Sequence, residues 1–267
     1  MTAPALVASD LDGTLLRTDR TVGPRTLGTL DRLREQGIPF VMVTGRPIRW
    51  LAEVLRFTGP RGPVVCSNGA VVYDPESGTV LDDRPLRPDL LAEVAERLRA
   101  EYPGVAFAAE TADGLAHEPA YPIREVSPAV RVADLPRVVA EPAVKLLAWL
   151  DHPVPTQLAA AMTDSLRGVA EVTRSSEDSL IEISAAGVTK ATGLARVAER
   201  YEVAPADIVA FGDMPNDLPM FAYVGHSVAM ANAEPAVRAA AHTVTTSNDD
   251  DGVAQYLTGL LDAAPIA

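Results

Sequence analysis

Four short motifs carry residue types suited to phosphoryl transfer: Asp10-Leu11-Asp12-Gly13-Thr14, Thr44-Gly45-Arg46, Lys190, and Gly212-Asp213-Met214-Pro215-Asn216-Asp217. Three of them follow short apolar runs that read as strands, and Lys190 opens a helical pattern. In open α/β sheets ligands bind beyond the carboxyl ends of the strands, so these three motifs are expected at one sheet edge. Asp10, Asp12, Asp213 and Asp217 would then share a small space. Four carboxylates cannot all ionise together there without a cation. An all-oxygen site with room for water and a phosphate suits Mg²⁺.

The residue types assign themselves to roles in that chemistry. Asp10, at a strand end, can be the nucleophile, forming an aspartyl-phosphate that splits one hard step into two. Asp12 can protonate the leaving alcohol and later activate water. Gly13 allows a sharp turn, so that amides of the loop, including that of Leu11, face the phosphate. Thr44 can donate its hydroxyl to a phosphoryl oxygen, with the Gly45 amide beside it. Lys190 supplies concentrated positive charge. Asp213 would ligate the metal, while Asn216 and Asp217 would orient metal waters and substrate. Each motif alone has a plainer reading: a solvated Asp-Gly turn, a strand-to-helix turn, a surface lysine, a helix start. Their conjunction, in this order and at these strand ends, is what the plain readings fail to explain.

The elements around the motifs fall into two textures. Leu6–Ser9, Phe40–Val43 and Val64–Cys66 read as buried strands, alternating with helices expected over Pro24–Gln36 and from Pro47 to Phe57. Val71–Tyr73 and Thr79–Leu81 flank Asp-Pro-Glu-Ser-Gly, a hairpin signal. From Lys190 the pattern resumes, with a helix to Tyr201, a strand over Asp207–Phe211, a helix from about Pro215 and two further strand–helix pairs. Between them, strand candidates Val105–Ala109, Val144–Leu150, Val169–Thr173 and Leu180–Ser184 mix with helices near Asp89–Glu101 and Thr156–Arg167. The expected fold is therefore α/β: a Rossmann-like parallel sheet core with helices on both faces, built from residues 1–83 and 188–267, plus an inserted α+β domain over 84–187.

Composition narrows the partners. The chain has 267 residues, with 36 acidic against 23 basic ones and a net charge of -13. No Lys/Arg run reverses that charge locally, so nucleic acid is not an expected partner. A small phosphorylated metabolite is. Cys66 is the sole cysteine, which excludes an intramolecular disulfide and a cysteine-based zinc site and fits a reducing cytoplasm. The N-terminus lacks a basic region and a long apolar stretch, and no window approaches the ~18 apolar residues of a membrane span. The sequence sets no oligomeric state.

The Asp-Leu-Asp-Gly-Thr segment, Thr44, Lys190 and Gly-Asp-x-x-Asn-Asp together resemble the haloacid dehalogenase superfamily. Val43–Arg46, Ser67-Asn68-Gly69-Ala70 and Val228-Ala229-Met230-Ala231-Asn232-Ala233 are similar to its Cof-type sugar-phosphatase branch. The resemblance covers about residues 4–83 and 188–255; the insert matches the branch's α/β cap only in size and position. It implies a phosphatase with an aspartyl-phosphate mechanism and Mg²⁺ held by Asp10, the Asp12 backbone carbonyl and Asp213. Sugar phosphates are its favoured substrates. Met214-Pro215 departs from many relatives, harmlessly, since proline suits a helix start.

Several residues keep two readings. Asn68 and Gly69 can form a second phosphate-side loop or a type I′ turn opening the hairpin. Arg46 can reach a substrate anion or pair with a carboxylate. His117, Arg124, Lys145 and His152 are candidate specificity residues of the insert. Among rival functions, Gly225-His226-Ser227-Val228-Ala229 loosely mimics a serine-hydrolase elbow, with His242 later in the chain, although Val228–Met230 reads as a continuing strand. A slow phosphoacceptor would not need Asp12. A phosphosugar mutase of the same fold would need a second phosphate site among the insert's arginines. No Gly-x-x-x-x-Gly-Lys-Ser/Thr loop is present, which excludes a P-loop kinase.

Overall fold

The computed structural model describes residues 3–123, 129–151, 156–174 and 179–263. In chain order the elements are β1 (Leu6–Ser9), α1 (Pro24–Glu35), β2 (Phe40–Val43), α2 (Ala52–Thr58), β3 (Val64–Cys66), β4 (Val71–Asp74) and β5 (Thr79–Asp83). Next come α3 (Pro88–Glu101), β6 (Ala106–Thr111), β7 (Gly114–His117), β8 (Val130–Val132), α4 (Leu135–Val138), β9 (Ala143–Trp149), α5 (Thr156–Ser165), β10 (Ala170–Thr173) and β11 (Leu180–Ala185). The chain closes with α6 (Lys190–Arg200), β12 (Ile208–Gly212), α7 (Leu218–Tyr223), β13 (His226–Ala229), α8 (Pro235–Ala240), β14 (Thr243–Val244) and α9 (Gly252–Ala263). Two compact units result: Met1–Asp82 with Thr189–Ala267, and Asp83–Val188.

In the first unit one eight-stranded sheet has the order β14-β13-β12-β1-β2-β3-β4-β5. The strands from β14 through β3 are parallel, and β4 turns back antiparallel to β3. The central strands are short and, Ser9 apart, carry no polar side chain because helices bury both of their faces; every residue of β1, β2 and β12 is buried. From β1 the chain winds one way through β2 and β3, then returns through α6 to place β12 on the other side of β1. The β1/β12 boundary is thus a topological switch point, where an open α/β sheet leaves a crevice. Ser9 pairs with Phe211 on one side and Met42 on the other, so Asp10, Gly212 and Val43 come next at the same level.

Local signals explain where α6 begins. Thr189 caps it in a reciprocal box with Thr192, which makes Lys190 its first residue, and Leu194, Val197 and Ala198 form the buried stripe. Tyr201, expected on that stripe, instead ends the helix and stays 39% exposed. The helix expected from Pro47 is broken in two. Pro47 stands in extended conformation ahead of a 3₁₀ turn, Ile48–Trp50, and α2 starts only at Ala52. Pro215 similarly opens a 3₁₀ turn, Pro215–Asp217, before α7.

The second unit is a six-stranded sheet of order β10-β11-β9-β6-β7-β8. It is antiparallel except for the β7–β8 pair. Leu91, Val94 and Leu98 of α3, with Met162 of α5, join Phe107, Ala109, Leu146, Ala148, Ile181 and Ile183 in one core, so both helices cover the same sheet face. The sequence reading gives no strand at β7 or β8: Gly-Leu-Ala-His has no β-branched residue, and Val-Arg-Val is only three residues long.

Candidate active site

Asp10 leaves β1 with its N–H on the Phe211 carbonyl at 3.0 Å, an extension of the β1–β12 ladder that carries its side chain beyond the sheet edge. The next residues turn back at once: Leu16 N–H reaches the Leu11 carbonyl at 2.8 Å, and Gly13 sits at φ +77°, in the left-handed region. A Cβ on Gly13 would lie 2.3 Å from Asp213 Oδ2, so glycine here also permits close approach of the β1 and β12 loops. Thr14 donates to Asp213 Oδ1 at 2.6 Å and locks the two loops together.

Lys190 stands at the centre. Its Nζ donates to Asp10 Oδ1 and to Asp217 Oδ1, both at 2.7 Å, and the residue is 1% exposed. Asp217 uses its other oxygen to accept the N–H groups of Asp213 and Met214, each at 3.0 Å. Both Asp217 oxygens are thereby engaged, and its work is to hold the ammonium and shape the β12 loop. Burial opposes the charge on Lys190, but Asp10 and Asp217 outweigh it and keep the ammonium protonated.

The carboxylates have the opposite difficulty. Burial pushes the Asp10 carboxyl well above its ordinary range against the pull of Lys190, with Asp217 and Asp213 adding repulsion. Asp213 is pushed up to about 6, chiefly by burial, with Asp217 adding to it and the Thr14 hydroxyl and Lys190 opposing. Asp10, Asp213 and Asp217 each place a carboxylate oxygen within 4.8 Å of the others. Hard oxygen donors crowded beyond what one lysine neutralises suit a small divalent cation.

The remaining site residues fall on both sides of expectation. Thr44 is buried after β2; its Oγ accepts the Arg46 N–H at 3.0 Å, which leaves the hydroxyl proton for another acceptor. Gly45 packs close to Asn68, whose Oδ1 accepts Asn216 Nδ2 at 3.1 Å, while the buried Asn216 Oδ1 has no hydrogen-bond partner. Leu11 is fully buried and serves the turn through its carbonyl. Asp12 departs from expectation: its carboxylate does not join the cluster. It turns the other way, 55% exposed at the side chain, and pairs with Arg46. Three carboxylates, not four, share the small space, because consecutive steps of so tight a turn send Asp10 and Asp12 in different directions.

Asn68 (φ 56°, ψ 30°) and Gly69 (φ +102°) are the central residues of a turn of type I′ geometry between β3 and β4, closed by the Ala70 N–H on the Ser67 carbonyl at 3.2 Å, and the Asn68 N–H also bonds the Thr44 carbonyl at 3.0 Å. A Cβ on Gly69 would meet the Thr189 carbonyl oxygen at 2.0 Å, so this loop packs directly on the start of α6. Sequence reasoning gave no role to Thr14, nor to the brace beneath the first loop. There Asn232 Nδ2 holds the Gly13 carbonyl at 2.8 Å, and Asn248 Nδ2 the Leu16 carbonyl at 3.0 Å. Only Asn232 had a signal, inside the Val228–Ala233 segment.

In the second unit, Lys145 is paired with Glu182 at 2.9 Å and His117 Nδ1 bonds the Glu118 carbonyl at 2.8 Å. Arg124 and His152 lie outside the described residues. Ser227 is in mid-strand, fully buried, with Oγ on His242 Nδ1 at 2.7 Å; its neighbours continue β13 instead of making an elbow. No helix among the described residues is long and apolar enough to cross a membrane.

Comparison with known proteins identifies the family of the chain. Residues 7–257 match the family model of haloacid dehalogenase-like hydrolases. A 5-amino-6-(5-phospho-D-ribitylamino)uracil phosphatase of Bacillus subtilis is 32% identical, over 96% of this chain and 97% of its own length. A pyridoxal phosphate phosphatase of Escherichia coli is 27% identical, over 94% and 97%. Among solved structures, a phosphatase of the haloalkanoate superfamily from Bacteroides thetaiotaomicron superposes with a TM-score of 0.81 at 25% identity, covering 97% of this chain and 95% of that one. The chain belongs to the haloacid dehalogenase-like hydrolase family, as a phosphatase of its Cof-type branch.

Proposed function

We propose that this chain is a Mg²⁺-dependent phosphatase of small phosphorylated metabolites that works through an aspartyl-phosphate on Asp10. The observation that carries the reading is the buried Lys190 ammonium shared by Asp10 and Asp217 at the switch point, beside the carboxylate of Asp213. Asp10, Asp213 and the backbone carbonyl of Asp12 would hold the cation. When bound, it offsets the negative charge of the carboxylates and of the phosphoryl group.

The chain's own residues then divide the work. An Asp10 oxygen attacks phosphorus as the ester P–O bond breaks, and Asp12 gives a proton to the departing alkoxide. Lys190 and the Thr44 hydroxyl stabilise the phosphoryl oxygens as charge spreads over them. Asp12, now a carboxylate, takes a proton from water that attacks the phosphorus of the aspartyl-phosphate, which releases inorganic phosphate and restores Asp10. Asp217 keeps Lys190 aimed throughout. The Asp83–Val188 unit is the proposed specificity cap, and a cytoplasmic setting fits the single, buried, unbridged Cys66. Sugar phosphates, 5-amino-6-(5-phospho-D-ribitylamino)uracil and pyridoxal phosphate, the last two being named in the two relatives' activities, form the first panel of substrates.

The test is phosphate release from that panel with Mg²⁺, with EDTA, and with added sugar bisphosphate. Release that requires the metal alone supports the phosphatase; isomerisation that depends on bisphosphate would replace it with a mutase.

Metal binding should carry a pH signature. The folded-state value of Asp213, about 6, lies above its ordinary 3.8. In the metal-free protein this group's stabilising contribution is therefore complete below its unfolded value and is lost as pH rises through about 6. A cation that needs the carboxylate binds better as that proton leaves. Mg²⁺ should accordingly raise the melting temperature more at about pH 7.5 than at about pH 5, and Asp213→Asn should remove most of the difference. An equal shift at both pH values would contradict the ligand role of Asp213.

A further inference from the structure

Among the described residues, Arg46 is the buried cation beside the site that the proposed chemistry leaves without a task. Its guanidinium grips Asp12 at two points, Nε to Oδ2 at 2.8 Å and Nη2 to Oδ1 at 2.6 Å, across 34 residues of sequence. Its third nitrogen, Nη1, bonds Glu53 Oε2 at 3.2 Å. The contrast in burial is large: the Arg46 side chain is 9% exposed, while those of Asp12 and Glu53 are 55% and 57% exposed. The arginine root is pinned as well. Its N–H bonds Thr44 Oγ, and its carbonyl accepts the Ser67 N–H at 3.0 Å.

We infer that Arg46 is the positioning residue for Asp12: it fixes the plane of that exposed carboxylate on the loop that follows Asp10, and Glu53 steadies the guanidinium through its third nitrogen. The inference rests on the proposed phosphatase reading, in which Asp12 exchanges protons with the leaving group and with water. An exposed carboxylate on a tight loop would otherwise rotate freely about its own side-chain bonds. A two-point fork removes that freedom, yet it uses one acceptor direction on each oxygen, so each retains a second for the reacting atoms. A lysine could supply the charge but not the fork. The direct link from Arg46 N–H to Thr44 Oγ ties the orientation of Asp12 to a residue that contacts the phosphate in the proposed mechanism. Of the two readings of Arg46 left open by the sequence, the guanidinium here takes the pairing with carboxylates of the protein.

The experiment compares kcat/KM for an alkyl phosphate, whose leaving group needs a proton, with that for p-nitrophenyl phosphate, whose leaving group departs as a stable anion. The wild type, Arg46→Lys, Asp12→Asn and the double variant are each assayed with both substrates. The ratio of the two values is taken within one protein sample, so partial misfolding of a variant cancels. Asp12→Asn should lower the ratio by about 10²-fold or more, the scale of general acid catalysis. Arg46→Lys should lower it by about 10-fold, and in the Asp12→Asn background it should add nothing. Equal losses on both substrates from Arg46→Lys, or additive losses in the double variant, would overturn the positioning role. An unchanged ratio in Asp12→Asn would instead overturn the proton-transfer role of Asp12, and with it the inference; absence of Mg²⁺-dependent release by the wild type would reject the phosphatase reading itself.

Discussion

Asp10→Asn should lose phosphate release by at least about 10⁴-fold while keeping its fold, because the change removes the nucleophile and little else. Asparagine has the same shape and keeps an oxygen within reach of Lys190, which also retains Asp217 at 2.7 Å. It relieves a buried carboxylate that sits against Asp213 and Asp217, so thermal stability should hold or rise. Retained turnover in a protein free of wild-type contamination would remove the assignment. A fall in activity accompanied by loss of the folded signal would show that Asp10 serves structure first.

Lys190→Met should damage both rate and stability, which sets it apart from Asp10→Asn. Without the ammonium, Asp10 and Asp217 remain buried with no cation between them, a change that costs about 3–5 kcal/mol when one partner of a buried pair is removed. The rate should fall by about 10²–10³-fold through lost stabilisation of the phosphoryl oxygens. Mg²⁺ should return part of the stability, since it supplies positive charge to the same cluster. Denaturant unfolding with and without the metal, alongside steady-state kinetics, reads both effects. A stable and nearly active Lys190→Met would mean that Lys190 is merely a buried structural cation.

The parts of the fold that were legible in the sequence are those in which local pattern and burial agree. Leu6–Ser9, Phe40–Val43 and Ile208–Gly212 (expected over Asp207–Phe211) are almost wholly apolar and fully buried because both of their faces are covered, and each leads into a motif too polar to continue a strand. The convergence of Asp10, Thr44 and Asp213 at one edge then follows from parallel pairing alone. Less legible were features set by dihedral angles inside loops. Asp12, only two residues past Asp10 in the tight turn, leaves the cluster for Arg46, and nothing in the order Asp-Leu-Asp-Gly announces that direction. The close approach of Gly69 to Thr189, far away in sequence, is likewise invisible in the local pattern.

Contacts between distant segments account for the rest. Asn248 braces Leu16 across 232 residues and Thr14 meets Asp213 across 199, pairings that no local periodicity encodes. In the second unit, β7 lacks β-branched residues and β8 is only three residues long, so neither run reaches the length and pattern by which strands are recognised. Lys145, a specificity candidate from sequence, is tied to Glu182 by a register between β9 and β11 that only the folded sheet reveals.

The central claim is covalent, and trapping the intermediate tests it most directly. The enzyme is mixed with its best substrate and Mg²⁺, quenched in acid within the first turnovers, and its peptides are mapped by mass spectrometry. The account predicts phosphate on Asp10, formed only with the metal present, absent from Asp10→Asn, and lost under mild alkali as an acyl phosphate. Phosphate on another residue, or full turnover with Asp10 unmodified at every time point, would contradict it.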